Sequence, residues 1–304
     1  MKKSVSIILL QLFYGLGLLA QQVAGIPNLG LPAITPNDAV ITHLGYTLSY
    51  NEKHEQANWV AYELTAEETQ KTVERSNDFR PDTAVHTGSA TNQDYLASGY
   101  DRGHLAPAAD MGWSLQAMEE SFFYSNMSPQ VPGFNRGIWK KLEEKIRQWA
   151  TDNQAIYVVT GPVLEDSLPT IGPEKVSVPR AYYKVILDYT LPGIKGIAFI
   201  LPNASSSLPL QDFAVPIDSV ESVTGIDFFP AIPDNKEKAI EKTVYISCWS
   251  WTSTATHRPA VQNKDTTFST KQVGKVRCSD ITKSGTRCKR MTSNPSGICS
   301  QHEK

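Results

Sequence analysis

The sequence lacks a strong charge imbalance, an internal repeat and, after its first twenty residues, any long apolar run. With 29 Lys and Arg residues against 31 Asp and Glu residues, the net charge is −2. This balance argues neither for nor against a nucleic-acid partner, because a local basic groove can lie on a nearly neutral protein. The composition, with 40% hydrophobic and 20% charged residues, is typical of a soluble globular protein.

The N-terminal stretch has the three parts of a signal peptide. Lys2 and Lys3 precede an apolar run that continues to the small residue Ala20, in the order expected of such a peptide. A membrane anchor is the alternative, but Gln11 and two glycines interrupt the apolar run, which disfavours a stable span. We therefore predict a signal peptide over residues 1–20 and a secreted or periplasmic mature protein that is not in a membrane.

Composition divides the rest of the chain into four parts. A chain of 304 residues can hold one domain of ordinary to large size with appendages. The predicted parts are an N-terminal linker rich in Pro and Gly at 21–39, a folded domain at 40–254, a polar linker at 255–275 and a small basic module at 276–304.

Hydrophobic periodicity predicts an α+β protein. Strands are predicted at 46–50, 59–64, 155–160, 180–189 and 196–201, and helices at 114–123, 138–149 and 219–224. The first two strands form a hairpin, and Ser114 is the expected N-cap of the first helix. Because the strands mostly run apart from the helices, we expect a mainly antiparallel central sheet flanked by helices.

One stretch, residues 98–147, concentrates the side chains that can carry chemistry. It contains Asp-Arg-Gly-His at 101–104 and Asn-Arg-Gly-Ile-Trp at 135–139. His104 can take a proton from water near neutral pH, and Asn135 offers a neutral oxygen to a hard cation such as Mg²⁺. This set of groups suits the hydrolysis of a phosphodiester.

Two arginines complete that set. Arg102 and Arg147 can hold phosphate oxygens while negative charge builds up in the transition state. Arg147 lies four residues after Glu143, on the predicted helix. If the chain between Asn135 and Glu143 were regular helix, the two would lie roughly 12 Å apart. We therefore expect Glu143 to act through a water on the ion or through an arginine.

At these motifs the chain resembles the sugar-nonspecific DNA/RNA endonucleases of the ββα-metal (His-Me finger) superfamily, which includes bacterial secreted nucleases and mitochondrial endonuclease G. The resemblance runs from about residue 46 to residue 251. It implies the ββα-metal nuclease fold, with His104 activating water and Asn135 binding Mg²⁺, or alternatively Mn²⁺. It also implies DNA and RNA substrates cut with little sequence preference. The chain departs from the signature at Arg136, where Gln is usual, and this adds positive charge beside the site.

Several of these residues have a structural alternative. Asn135 could cap its helix, and Glu143 with Arg147 could form a surface ion pair, which contributes only about 0.3–0.5 kcal/mol. Asn126 corresponds to a position near the family's active site but could equally be a buried amide that holds a loop. Arg75 and Arg80 are the upstream candidates for phosphate binding, with Arg75 preferred, and the alternative for each is a solvated charge on a loop.

The C-terminal module contains four potential soft ligands. Cys278, Cys288, Cys299 and His302 are enough for a tetrahedral Zn²⁺ site. Disulfides are the alternative in an exported protein, with Cys248 as the fourth cysteine. The zinc interpretation is preferred because the apolar, strand-like run around Cys248 predicts a buried thiol.

The sequence therefore predicts an exported, metal-dependent endonuclease, and two other functions compete with it. One is a nucleic-acid-binding or adhesion-like module on a catalytically inactive nuclease fold, against which the intact His104, Asn135 and Glu143 argue. The other is an enzyme restricted to small phosphodiesters. Members of the family are often dimers, but the residues give no interface signal.

Overall fold

The computed structural model describes residues 26–190, 193–252, 276–277 and 291–292. The chain divides into two compact units, Met1–Ser253 and Thr254–Lys304. The predicted signal peptide and the predicted linker at 255–275 lie outside the described residues. In the part of the chain that is described, no helix is long and apolar enough to cross a membrane.

Strands dominate the first unit. In chain order they are β1 (Ala39–Thr42), β2 (Thr47–Asn51), β3 (Gln56–Thr65), β4 (Asp101–His104), β5 (Met127–Gln130), β6 (Ala155–Pro162), β7 (Thr170–Ile171), β8 (Val176–Ser177), β9 (Ala181–Asp188), β10 (Lys195–Pro202) and β11 (Ala214–Val215). Seven of them form one sheet in the order β1-β2-β3-β6-β9-β10-β11. Every neighbouring pair in this sheet is antiparallel.

Five α-helices accompany the strands among the described residues. They are α1 (Asn92–Tyr95), α2 (Leu115–Glu120), α3 (Lys140–Asn153), α4 (Ile217–Thr224) and α5 (Asp234–Glu241). The Ser114 side chain accepts a hydrogen bond from the Ala117 amide at the start of α2, as an N-cap should. Gly225, with a φ of 71°, ends α4 in the left-handed conformation that glycine adopts without strain. The α+β class and the mainly antiparallel sheet are confirmed.

The sheet is covered on both faces. Leu142, Ile146 and Trp149 of α3 are buried in one apolar cluster, which lies on one face of the sheet. Ile217 and Val220 of α4 belong to a second cluster, which lies on the other face. Because the central strands are buried on both sides, their sequences are nearly continuous apolar runs rather than a strict alternation of apolar and polar residues.

A second, smaller pairing positions the candidate site. β4 and β5 pair antiparallel, with His104 opposite Met127 and Asp101 opposite Gln130. A π-helical turn, Phe134–Trp139, follows and leads into α3. The β4–β5 pair and the π-helical turn pack against the same face of the sheet as α3. Leu105, which follows β4, and Trp139, which ends the turn, both belong to the first apolar cluster.

The prediction that Cys248 is a buried thiol in a strand is wrong. Cys248 ends a short 3₁₀ turn, Ile246–Cys248, and is exposed. The residues that attach this segment to the core are the two that follow Cys248 in the chain. Trp249 is buried in the first apolar cluster, and Trp149 Nε1 donates a hydrogen bond to the Ser250 carbonyl.

The second unit contributes two short strands to the described residues. β12 (Val276–Arg277) and β13 (Met291–Thr292) pair antiparallel. The four residues predicted to bind zinc lie outside the described residues; they are Cys278, Cys288, Cys299 and His302. The zinc site and its disulfide alternative stay predictions.

Candidate active site

His104, the last residue of β4, lies against two phenyl rings. Its imidazole meets the Phe122 ring edge-on at 4.9 Å between centroids, and the Phe79 ring at 5.8 Å. The residue is 9% exposed, and Nε2 has no hydrogen-bond partner among the described residues. Burial, followed by the positive charges of Arg75 and Arg102, lowers the pKa of His104 to about 3. The imidazole is therefore neutral at physiological pH and able to accept a proton.

Two guanidinium groups lie on the same aromatic pair. Arg102 stacks over the Phe79 ring at 4.0 Å and donates a hydrogen bond to Asn92 Oδ1 at 3.1 Å. Arg75 lies over the Phe122 ring at 4.8 Å. Cation–π contacts of this kind hold a guanidinium plane in place and leave some of its N–H groups available for other hydrogen bonds. The arrangement places positive charge beside the neutral imidazole.

Arg80 has a different environment from Arg75. It donates to Asp78 at 3.1 Å and approaches Glu119 at 3.7 Å. Its charge is therefore balanced locally by two carboxylates. Of the two upstream arginines, only Arg75 borders the cleft described below.

Asn135 lies in the π-helical turn and contacts β4. Its Nδ2 donates to Asp101 Oδ2 at 2.9 Å, and it makes no capping hydrogen bond to the helix that follows. Arg136 donates two hydrogen bonds to the same carboxylate, from Nε at 2.8 Å and from Nη2 at 2.6 Å. With its nitrogen engaged, Asn135 retains Oδ1 for another partner.

The π-helical turn also changes the geometry expected from the sequence. Gly137 has non-helical angles, with φ and ψ both at −108°, so the chain from Asn135 to Glu143 is not regular helix. The separation of roughly 12 Å, which assumed regular helix, therefore does not apply. A helix that starts with a π turn offers its side chains at altered angles, and such turns are frequent at functional sites.

A polar cleft of about 360 Å³ brings several of the predicted residues together. Among its walls are Arg75, Arg102 and Asn135, which come from three separate parts of the chain. The full lining is Arg75, Phe79, Asn92, Tyr95, Leu96, Ala97, Tyr100, Asp101, Arg102 and Asn135. Asn92 was not predicted, and its sequence context signals only a helix start, since Thr91 and Asp94 form a capping box.

The surface ion pair between Glu143 and Arg147 does not form. Arg147 instead donates to Asp110 Oδ1 at 2.7 Å, and the Tyr62 hydroxyl donates to Asp110 Oδ2 at 2.8 Å. Asp110 is fully buried and the Arg147 side chain is 20% exposed. The pairing orients Arg147 while leaving part of its guanidinium at the surface.

Glu143 belongs to the same buried charge network. Burial raises the pKa of Glu143 and outweighs the opposing effect of Lys184. Burial correspondingly lowers the pKa of Lys184, against the attraction of Glu143. A carboxyl held in this way exchanges a proton more easily near neutral pH than an exposed one does.

Lys184 is a site residue that the sequence analysis missed. It lies in β9, is completely buried, and its Nζ donates to the Leu105 carbonyl and to Thr160 Oγ1, each at 3.2 Å. Nζ also lies 4.5 Å from the ring of Trp139. The available signal was a single lysine inside an otherwise apolar strand. Through Leu105, Lys184 supports the backbone immediately after His104.

The substrate-binding prediction for Asn126 is corrected in favour of its structural alternative. Asn126 is fully buried. Its Oδ1 accepts from the Ala106 amide at 2.9 Å, and its Nδ2 donates to the carbonyls of Ala106 and Ser121 at 2.9 and 2.8 Å. The side chain is thus fully occupied in holding the loop behind His104.

Gly103 is required by a close approach. A Cβ added there would lie 2.2 Å from Gln130 Cδ, a distance that real contacts do not show. Gln130 is fully buried on the neighbouring strand β5. The glycine of the Asp-Arg-Gly-His motif therefore lets β4 and β5 pack closely beside His104.

Comparison with known proteins connects this site to a family. A family model described as DNA/RNA non-specific endonuclease matches residues 30–235. The mitochondrial endonuclease G of Bos taurus is 37% identical over 221 residues, covering 67% of this chain and 72% of that protein. A nuclease of Nostoc sp. is 34% identical, covering 69% and 80% respectively.

A solved structure shares the fold. The crystal structure of the EndoG/EndoGI complex superposes with a TM-score of 0.64 at 36% sequence identity, covering 69% of this chain and 91% of the other. At this identity, the likeness covers both the sequence and the fold.

Proposed function

The chain belongs to the DNA/RNA non-specific endonuclease family, which hydrolyses phosphodiester bonds. For this reaction we propose a metal-dependent mechanism with His104 as the general base. The observation that carries the proposal is the neutral imidazole of His104, which packs on Phe79, a residue that lines the same cleft as Arg102 and Asn135. Burial and the charges of Arg75 and Arg102 lower the pKa of His104, so the ring carries no proton near neutral pH, and an anionic phosphate bound beside it would make the ring more basic.

The residues present fit a hard divalent cation. The hydrogen bond from Asn135 Nδ2 to Asp101 leaves the neutral Oδ1, and a site with one protein oxygen and several waters is usual for Mg²⁺. Asn135 would hold the ion, with Glu143 oriented towards its waters. When bound, Mg²⁺, or Mn²⁺ as the alternative, offsets the charge that develops on the phosphate and stabilises the leaving oxygen.

The arginines supply the phosphate contacts in this proposal. Arg102 and Arg75 are held by the aromatic pair beside His104, and Arg147 is oriented by Asp110. Arg136 is exposed and paired with Asp101, which lines the cleft, so its charge is partly offset there. Contacts to phosphate carry no sequence information, so they account for cleavage of DNA and RNA with little preference.

The direct test is digestion of a plasmid and of a structured RNA by the purified protein, with Mg²⁺ and with EDTA. We expect cleavage that depends on the metal. Substituting His104→Ala should lower the rate by about 10²–10⁴-fold, the usual contribution of a general base. Asn135→Ala should cause a comparable loss that excess Mg²⁺ partly restores.

Four outcomes would oppose this proposal. Cleavage in EDTA at the full rate, or an active His104→Ala variant, would reject the mechanism. Retention of DNA in a gel-shift without cleavage in Mg²⁺ or Mn²⁺ would favour an inactive binding module. Turnover of dinucleotides but not of plasmid would restrict the enzyme to small phosphodiesters.

Arg75 and Arg80 form a matched pair for testing phosphate binding. Arg75→Ala should lower kcat/KM by about 10–100-fold, the range for a hydrogen bond to a charged group, and should reduce the salt dependence of binding. Arg80→Ala should stay within about threefold of the unchanged enzyme, because Arg80 is paired with surface carboxylates. Equal losses in the two variants would contradict the assignment of Arg75.

We also propose that the protein acts after export. The support is the order of basic, apolar and small residues in the first twenty positions. N-terminal sequencing of protein collected outside the cytoplasm should find a mature chain that begins near Gln21. An intact N-terminus on cytoplasmic protein would contradict export.

A further inference from the structure

A cluster of carboxylates lies at the junction of α4 and α5, on the sheet face opposite α3. Both helices pack on β10 at Gly196, where an added Cβ would lie 2.7 Å from both Ile217 Cδ1 and Ile240 Cγ2. The glycine therefore allows the two helices to close on the strand side by side. Ile217 and Ile240 thus place the two helices side by side through apolar contacts.

Three acids converge at this junction. Asp218 and Glu221, three residues apart on α4, and Glu241, the last residue of α5, each offer a carboxylate oxygen, and these oxygens lie within 4.8 Å of one another. Glu221 uses Oε1 to accept a hydrogen bond from the Phe228 amide at 2.9 Å, which holds its carboxylate in place. Asp218 is exposed, so the cluster opens to solvent on one side.

The innermost carboxylate lacks a partner. Glu241 is 6% exposed, and its Oε1 has no hydrogen-bond partner among the described residues. Glu237, one turn earlier on α5, also has a buried Oε1 without a partner in that part of the chain. No ion pair found among the described residues involves these acids. A buried carboxylate is costly unless it is paired or bound to a metal.

The pKa shifts of these acids also reflect the lack of a positive partner. Burial, followed by the negative charges of Glu221 and Glu237, raises the pKa of Glu241 to about 8. Burial also raises the pKa of Glu221. Taking up one proton would relieve only one of these groups, whereas a divalent cation among the three oxygens would offset the repulsion of all of them.

We propose that Asp218, Glu221 and Glu241 form a binding site for a hard divalent cation of the Ca²⁺ class, separate from the catalytic cleft. Carboxylate oxygens with water are the ligands that Ca²⁺ takes, and its flexible coordination tolerates three acids with an open side. The bound ion joins the end of α5 to α4 and stabilises the fold on the face of the sheet away from His104.

The test uses the full-length protein, freed of metal with EDTA and then titrated with CaCl₂. Calorimetry should show Ca²⁺ binding, and the Tm should rise with Ca²⁺, because a ligand that binds only the folded state stabilises it. Asn135→Ala is included because Ca²⁺ could also enter the catalytic cleft. We expect this variant to retain both the Ca²⁺ binding and the Tm increase.

Two variants address the proposed ligands. Glu241→Gln removes the buried carboxyl group and Asp218→Asn an exposed one, and each should weaken Ca²⁺ binding at least tenfold and abolish the Tm increase. Asp212→Asn, which removes an exposed acid outside the cluster, is the matched control and should behave like the unchanged protein. If Glu241→Gln does not fold, Asp218→Asn still gives the test.

The proposal is overturned by any of three results. These are an absence of Ca²⁺ binding by the unchanged protein, an equal Tm increase in Asp218→Asn or Glu241→Gln, and loss of all Ca²⁺ binding in Asn135→Ala. The last result would assign the ion to the catalytic cleft.

Discussion

The site depends on keeping one imidazole both buried and neutral. His104 is enclosed by Phe79 and Phe122, and the two arginines stacked on those rings add positive charge that disfavours a protonated ring. The aromatic pair therefore removes water from the His104 ring and also carries two guanidinium groups. In the proposed mechanism, the charges that would attract the substrate also keep this ring free of a proton.

The β-β-α arrangement then connects Asn135, the proposed metal ligand, to the strand that carries His104, the proposed base. Asp101 begins β4 and His104 ends it, so one short strand carries both the base and the carboxylate that holds Asn135. On the inner side, Lys184 supports the Leu105 carbonyl immediately after the base. The cleft is thus built on rigid, buried elements, while the arginines at its surface remain available to a substrate.

Much of this organisation could be predicted from the sequence, because local patterns encode it. The apolar stripe of α3 and the two motifs are such patterns. Lys184 was missed because its partners come from distant parts of the chain, and Asn126 was ambiguous because only tertiary contacts show that its amide is saturated. The break at Gly137 and the exposed Cys248 depend on how flanking segments pack, which periodicity does not report.

The most direct measurement of the central claim is an NMR titration of the His104 ring in metal-free protein, assigned by comparison with a His104→Asn variant. Because the folded pKa lies at about 3, below the ordinary value near 6.5, the ring should remain neutral as the pH falls from 8 to about 4. Protonation should begin only below that range. A midpoint near 6.5 would show that burial and the two arginines do not control the base, and would contradict this account.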